Sequence, residues 1–270
     1  MTAPAPGLPD PSGPRLRLPT VPYRSFLALI DLIMRPEVIL VGADRIPDGP
    51  CIATSNHPHR EEILLGYRIF TRPVRILLEQ GLLDTAYVRN EIEKALQTGY
   101  RMPTWSRRFA TVAADWLARQ NRRLGSIPVA RDPDQPGATS INRAAFRASI
   151  QALERGEVIG MAPEGQLSPE EGLGKLQRGA AQLAWHFARR EEPVPVLPII
   201  FHGIRGLERS LLGRGRIVVA LGETLTLEIA PGESRREALD RFTTELHAAL
   251  TTLDERVNRA WPLESADKSE

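Results

Sequence analysis

Short apolar runs alternate with segments whose apolar residues recur at helical spacing, and that alternation restricts the fold more than any other feature of the chain. Runs of strand length fall at 38–41, 51–55, 74–78, 125–131, 157–162, 194–201 and 216–221, with 225–229 as a further candidate. Between them lie helical patterns. One follows the run at 51–55 and reaches Phe70; another starts at Thr85 and reaches about Thr98. Trp105, Phe109, Val112 and Trp116 form a stripe behind a cap at Thr104, and Leu176, Ala180, Leu183 and Phe187 form another. Thr139 or Ser140 opens a helix carrying Ile141, Ala145, Ala148 and Ala152, which Gly156 ends. Ser234 caps a final helix with Leu239, Phe242, Leu246, Ala249 and Leu253 on its apolar side. Strands alternating with helices predict an α/β layered fold, a mostly parallel sheet flanked by helices. Spacing leaves the strand order open. Pro195 and Pro198 predict that the run at 194–201 lies at a sheet edge or a bulge.

The N-terminal region reads differently. Residues 1–22 carry seven prolines and few large apolar groups, the composition of a disordered arm. Ser25–Met34 is apolar almost all round and predicts a short N-terminal apolar helix, either buried in the core or seated in a membrane interface beside Arg24 and Arg35. Residues 23–260 are expected to form a single domain and 261–270 a polar tail. A formal net charge of +2 excludes a strong nucleic-acid footprint. Cys51 is the only cysteine, so no internal disulfide can form, which fits a reducing compartment. No run approaches the ~20 apolar residues that span a bilayer, and no secretory signal pattern is present.

The stretch Thr54-Ser55-Asn56-His57-Pro58-His59-Arg60-Glu61-Glu62 joins one apolar run to the next. It reads as a strand, a tight turn and a helix start. His57 then stands at the carboxyl end of a strand, where open α/β sheets place their ligands. The nearby helix N-terminus favours neutral imidazole, which suits a general base. A carboxylate one turn on, Glu61 or Glu62, is in range to hold the other ring nitrogen and fix the tautomer.

Asn56-His57 followed by four residues and a carboxylate resembles the first motif of the glycerolipid acyltransferases, the 1-acylglycerol-3-phosphate acyltransferase superfamily. Three further blocks follow in that family's order. Gly125-Ser126-Ile127-Pro128-Val129-Ala130-Arg131 is similar to the second, Pro163-Glu164-Gly165 to the third, and Val194-Pro195-Val196-Leu197-Pro198-Ile199-Ile200 to the fourth. The resemblance covers roughly residues 25 to 225 and implies an acyltransferase fold. It implies His57 as catalytic base and Glu62 as its orienting carboxylate, where the family uses Asp. It implies Arg131 on the acceptor's phosphate, with Glu164, Gly165 and Asn56 on the substrate side. After Gly165 the family has Thr and Arg where this chain has Gln166 and Leu167; Lys175, Arg178 and Arg205 are candidate substitutes for that Arg.

The activity so implied moves a fatty acyl group from acyl-CoA or acyl-carrier protein to a lysolipid or glycerol-phosphate-type hydroxyl, with no covalent intermediate, no metal and no organic cofactor. The expected partners are the acyl donor, the lysolipid acceptor and a membrane surface, and the expected seat is cytoplasmic, on the inner face of the cell membrane. Two other classes compete. His57 and His59 at i and i+2, with His202, could belong to a metal-dependent hydrolase. A lipid-binding homologue without turnover would also carry these motifs. A serine hydrolase is disfavoured, since no Gly-x-Ser-x-Gly elbow is present.

Overall fold

The computed structural model describes residues 37–57, 62–91, 115–116, 118–166, 172–203 and 216–262. The N-terminal arm and the 25–34 segment fall outside the described residues, as do His59, Glu61, Arg205, most of the 104–116 stripe and the polar tail from 263.

Seven strands form one sheet: β1 (Glu37–Val41), β2 (Cys51–Ser55), β3 (Val74–Glu79), β4 (Ile127–Val129), β5 (Val158–Met161), β6 (Val196–His202) and β7 (Arg216–Leu221). The helices with settled bounds are α1 (Glu62–Ile69), α2 (Ala138–Glu154), α3 (Gly179–Ala188) and α4 (Arg235–Ala260), and further helical residues lie at 85–91 and 118–123. The spatial order is β1-β7-β6-β2-β5-β3-β4. Every neighbouring pair is parallel except β6 with β7, so the expected mostly parallel sheet is the one observed.

Alternation along each strand splits the core into two layers, because successive side chains leave opposite faces of a strand. Ile52, Ile159, Val196, Ile200 and Val218 pack with α2, α3 and α4 on one face. Cys51, Ala53, Val74, Ile76, Leu197 and Val219 pack with α1 on the other. Strands covered on both faces read as nearly continuous apolar runs, and for that reason β6 is buried at every residue. Tyr67 on α1 and Ser126 ahead of β4 join by a buried hydroxyl pair at 2.9 Å, which ties α1 to the segment that enters β4.

Five expectations are corrected. The strand carrying Pro195 and Pro198 is interior, between β7 and β2. Pro195 precedes the strand and offers only its carbonyl, to Ile52 (3.0 Å). Pro198 lies one residue beyond the last rung of the β6–β7 ladder, Ile199 with Leu221, and its carbonyl accepts from Gly222 N–H (2.8 Å). A proline just outside a ladder removes no rung from it. The run at 225–229 is no strand; Leu225 makes an isolated bridge to Val196. Asp84, not Thr85, caps the helix that begins there, its Oδ1 accepting from Tyr87 N–H (2.9 Å). Gly137 precedes α2 in a left-handed conformation (φ 81°), and the helix opens at Ala138 rather than at Thr139 or Ser140. The apolar side of α2 includes buried Ser149, whose hydroxyl returns to the Ala145 carbonyl (2.8 Å). The Ser234 cap is as expected, a complete capping box with Glu237, although Leu250 rather than Ala249 continues the buried stripe.

Candidate active site

Strand register brings the motif residues into one row. Ala53, Gly160 and Ile76 pair across β2, β5 and β3. His57 lies just past β2 and Glu164 just past β5, each four residues beyond that level, and Glu79 ends β3 three residues beyond it. Glu79 pairs with Val129 of β4, and Arg131 stands two residues further on. Parallel strands therefore present Arg131, Glu79, Glu164 and His57 side by side at their carboxyl ends, the usual location of a ligand site in such sheets. All four line one cavity of about 840 Å³. That volume falls within the range of small-molecule sites.

Each polar residue is placed by a specific local device. Asn56 is buried, and its amide acts as a surrogate strand residue: Nδ2 donates to the Phe201 carbonyl (3.0 Å) and Oδ1 accepts from the Phe201 N–H (2.8 Å). The β2–β6 ladder is thereby carried one residue past Ser55, so the chain leaves the sheet at His57 from a fixed point. Both polar ends of the Asn56 amide are engaged by the Phe201 backbone. Glu62 opens α1, and its side chain lies outside the described residues.

Asn142, which the sequence did not single out, does the same on the other side of the site. It accepts from Ala130 N–H (2.9 Å) and donates to the Ala130 carbonyl (3.1 Å), fixing the residue before Arg131. Arg131 is exposed, and among the described residues it makes no ion pair. Arg131 lines the cavity.

Glu164 is 2% exposed and accepts from Gly174 N–H at 2.8 Å. Gly165 follows with φ 70°, a left-handed backbone that a side chain rarely adopts, and its N–H closes a turn on the Ala162 carbonyl (3.1 Å). Pro163 accepts from Gln177 N–H (2.7 Å). Segment 174–177 is thus laced to the Pro-Glu-Gly turn at two points, which carries Lys175 to the cavity wall. Of the candidate substitutes for the missing arginine, Lys175 lines the cavity, whereas Arg178 is ion-paired to Asp240 of α4.

Behind this polar row the wall is apolar: Ala53, Gly66, Phe70, Ile76, Ile199 and Phe201. Small side chains make the space. Gly160 leaves room where a Cβ would approach Ile76 Cγ1 to 3.2 Å, and Gly66 sits over the Ile76 Cδ1.

The other candidate groups lie elsewhere. Burial pushes the Cys51 thiol up to about 11, partly offset by the adjacent Arg72 guanidinium, so it is an inert core group. His202 Nε2 lies 2.7 Å from the Trp261 carbonyl at the end of α4. Among the described residues no three of His, Cys, Asp and Glu gather as a metal-ligand set. No helix among them is long and apolar enough to cross a membrane.

Similarity to known proteins agrees with this arrangement. The chain resembles a curated 1-acyl-sn-glycerol-3-phosphate acyltransferase of Bacillus subtilis (strain 168), with 24% identity over 144 residues. The match covers 53% of this chain and 65% of that protein, slightly less than two thirds of the relative's own length. The crystal structure of the 1-acyl-sn-glycerophosphate (LPA) acyltransferase PlsC from Thermotoga maritima shares the fold, with a TM-score of 0.51 and 18% identity over 88% of this chain and 81% of that one. The Acyltransferase family model matches residues 37–202, more than half of the chain and all four motif blocks, and the chain belongs to that family.

Proposed function

We propose that this protein transfers a fatty acyl group from a thioester, acyl-CoA or acyl-carrier protein, to the free hydroxyl of a lysolipid of the 1-acylglycerol-3-phosphate type. The observation that carries the reading is the single cavity in which His57, Glu164 and Arg131 share a wall with a deep apolar surface.

In the proposed reaction His57 removes the acceptor's hydroxyl proton as the oxygen attacks the thioester carbonyl. Glu62 orients the imidazole. The tetrahedral oxyanion collapses, the C–S bond breaks, and the proton on His57 passes to the leaving thiolate. No covalent acyl-enzyme forms, and the sequence of steps calls on no metal or organic cofactor. Arg131 offers a planar fork to the acceptor's phosphate, and Lys175 adds a second positive charge to the same wall. Glu164 and Gly165 shape the floor under the acceptor's glycerol end. Asn56 is a positioning residue, holding the start of the His57 turn. The apolar wall of Phe70, Ile76 and Phe201 suits the acyl chain. The apolar 25–34 segment, with Arg24 and Arg35 beside it, supports a peripheral seat on the inner face of the cell membrane.

The test is thiol release from a panel of acyl-CoAs and acyl-carrier proteins, with lysophosphatidic acid, other lysolipids and no acceptor in parallel. Acceptor-dependent release that disappears in His57→Ala is the expected result. Release that ignores the acceptor would make the protein a thioester hydrolase. Lipid binding with no release from any donor would make it a non-catalytic homologue.

A further inference from the structure

Glu79 is the one member of the charged row to which neither the motifs nor the proposed reaction gives a task. It ends β3 between Arg131 and Glu164 in the order of the strands, and it lines the same cavity. The Tyr87 hydroxyl donates to its Oε1 at 2.8 Å. Among the described residues its second oxygen, Oε2, has no hydrogen bond.

The Tyr87 contact is built in from below. At Gly81 a Cβ would fall 2.7 Å from the ring atoms Cγ and Cδ1 of Tyr87, so the ring lies directly on the glycine backbone. Asp84 caps the helix that carries Tyr87 by accepting from its N–H. Glycine, cap and phenol together aim one donor at Glu79 and hold the carboxylate in a fixed rotamer. A half-buried carboxylate so held, in the wall of a cavity and with one oxygen free of hydrogen bonds among the described residues, is suited to receive an N–H or O–H group from a ligand.

Charge argues in the same direction. Glu79 is the carboxylate that neighbours Arg131 in the strand order, so the wall there is mixed in sign. A head group carrying phosphate alone would meet repulsion at Glu79. One carrying a phosphate diester with an ammonium or hydroxyl beyond it would satisfy both residues.

We infer that Glu79 is a specificity-determining residue that accepts a hydrogen bond from the acceptor's head group, selecting lysolipids whose head bears an N–H or O–H donor beyond the phosphate. The inference rests on the acyl-transfer reading of the same cavity.

The experiment compares lysophosphatidylethanolamine, lysophosphatidylglycerol and lysophosphatidic acid as acceptors for the full chain, for Glu79→Gln and for Tyr87→Phe. The ethanolamine and glycerol lipids separate an ammonium donor from a hydroxyl donor. Wild type should favour one or both over lysophosphatidic acid. Glu79→Gln should reduce that preference about tenfold, through KM for the acceptor, with KM for the donor unchanged. Tyr87→Phe, which leaves the carboxylate but loosens it, should give a smaller loss in the same direction. A preference ratio that stays within about twofold of wild type in Glu79→Gln would overturn the inference. A purely structural role would lower Tm in both variants and leave the ratio alone. Calorimetric titration of short-chain forms of the same lysolipids, below their micelle concentrations, separates this inference from the proposed reaction. If wild type turns over no acceptor, the reaction assignment fails, and binding decides Glu79 by itself: weaker binding of the donor-bearing lipids to Glu79→Gln upholds it, and equal binding overturns it.

Discussion

The two ends of the central strands carry charge in opposite ways. At the amino ends of β3 and β5, Arg75 grips Glu157 with both Nε (2.7 Å) and Nη2 (3.1 Å), and Arg155 adds two more bonds at 3.1 Å to the same carboxylate. Arg75 also donates to the Leu124 carbonyl (3.0 Å), joining the cluster to the segment that enters β4. These groups satisfy one another. At the carboxyl ends, Arg131, Glu79 and Lys175 face a cavity, and there the polar protein contacts go chiefly to backbone placement, by Asn56, Asn142 and Glu164. Parallel strands put all their carboxyl ends at one side, so one end of the sheet can be closed for stability while the other is kept available for a ligand.

If that division is right, substitutions at the carboxyl ends cost activity and substitutions at the amino ends cost stability. The largest effect is expected at His57. His57→Ala should lower kcat by about 10²–10⁴-fold, the usual worth of a general base, with the thermal midpoint unchanged. Near-normal turnover would remove the carboxyl end from the chemistry altogether. Arg131→Ala should raise KM for an anionic acceptor by roughly 10- to 100-fold, as expected for a charge-assisted contact, and leave KM for the donor alone. An equal change in both constants would mean that Arg131 does not discriminate between the two substrates.

Arg75→Met probes the other end. It leaves the Glu157 carboxylate with Arg155 alone and frees the Leu124 carbonyl, and should cost on the order of 2–3 kcal/mol in denaturant unfolding, with kcat per folded molecule unchanged. A loss of kcat without a loss of stability would contradict the comparison.

The pH dependence sharpens it. Hydrogen bonds from Arg75, with a lesser share from Arg155, hold the Glu157 carboxyl at about 2, below its ordinary 4.5. A depressed pKa in the folded state means that the unfolded chain binds the proton first. The contribution is therefore present above about 4.5 and is lost as pH falls toward 2. Glu157→Gln should start less stable at neutral pH and show a flatter decline across that interval. A decline as steep as that of wild type would assign the acid sensitivity to other groups.

The smallest effect is expected at Cys51, which opens β2 at the closed end with no exposed surface and a raised thiol pKa. A thiol-alkylating reagent at neutral pH should leave the folded protein unlabelled and its activity intact. Fast labelling would show that this end opens readily.

Much of this arrangement was legible in the sequence. Ile217–Leu221 reads as a strand because burial on both faces demands an unbroken apolar run, and Val74–Glu79 because buried and partly exposed residues alternate along it, both local properties. Leu176, Ala180, Leu183 and Phe187 read as one helix side; all four are buried, but Leu176 lies in the segment ahead of α3, which begins at Gly179. His57, Arg131 and Glu164 were found through motifs at predicted strand ends, and the structure places them around one cavity. Glu79 was overlooked, although a lone carboxylate at the carboxyl end of an apolar strand was signal enough. Asn142 gave no such sign, since it sits in an ordinary amphipathic helix and its role depends on which backbone group happens to lie opposite.

The sequence by itself determined the elements, the parallel α/β class and the family, because apolar period, turn residues and motif order are properties of neighbouring positions. Tertiary structure decided the strand order, and with it which chain ends share a cavity. It turned a proline-bearing run from an expected edge into the interior strand β6, with Pro195 ahead of the strand and Pro198 just beyond the last rung shared with β7. It also made Asn56 and Asn142 backbone clamps and set Glu79 between Arg131 and Glu164. Such outcomes depend on the register between strands far apart in the chain, and register is fixed only when all the layers pack at once.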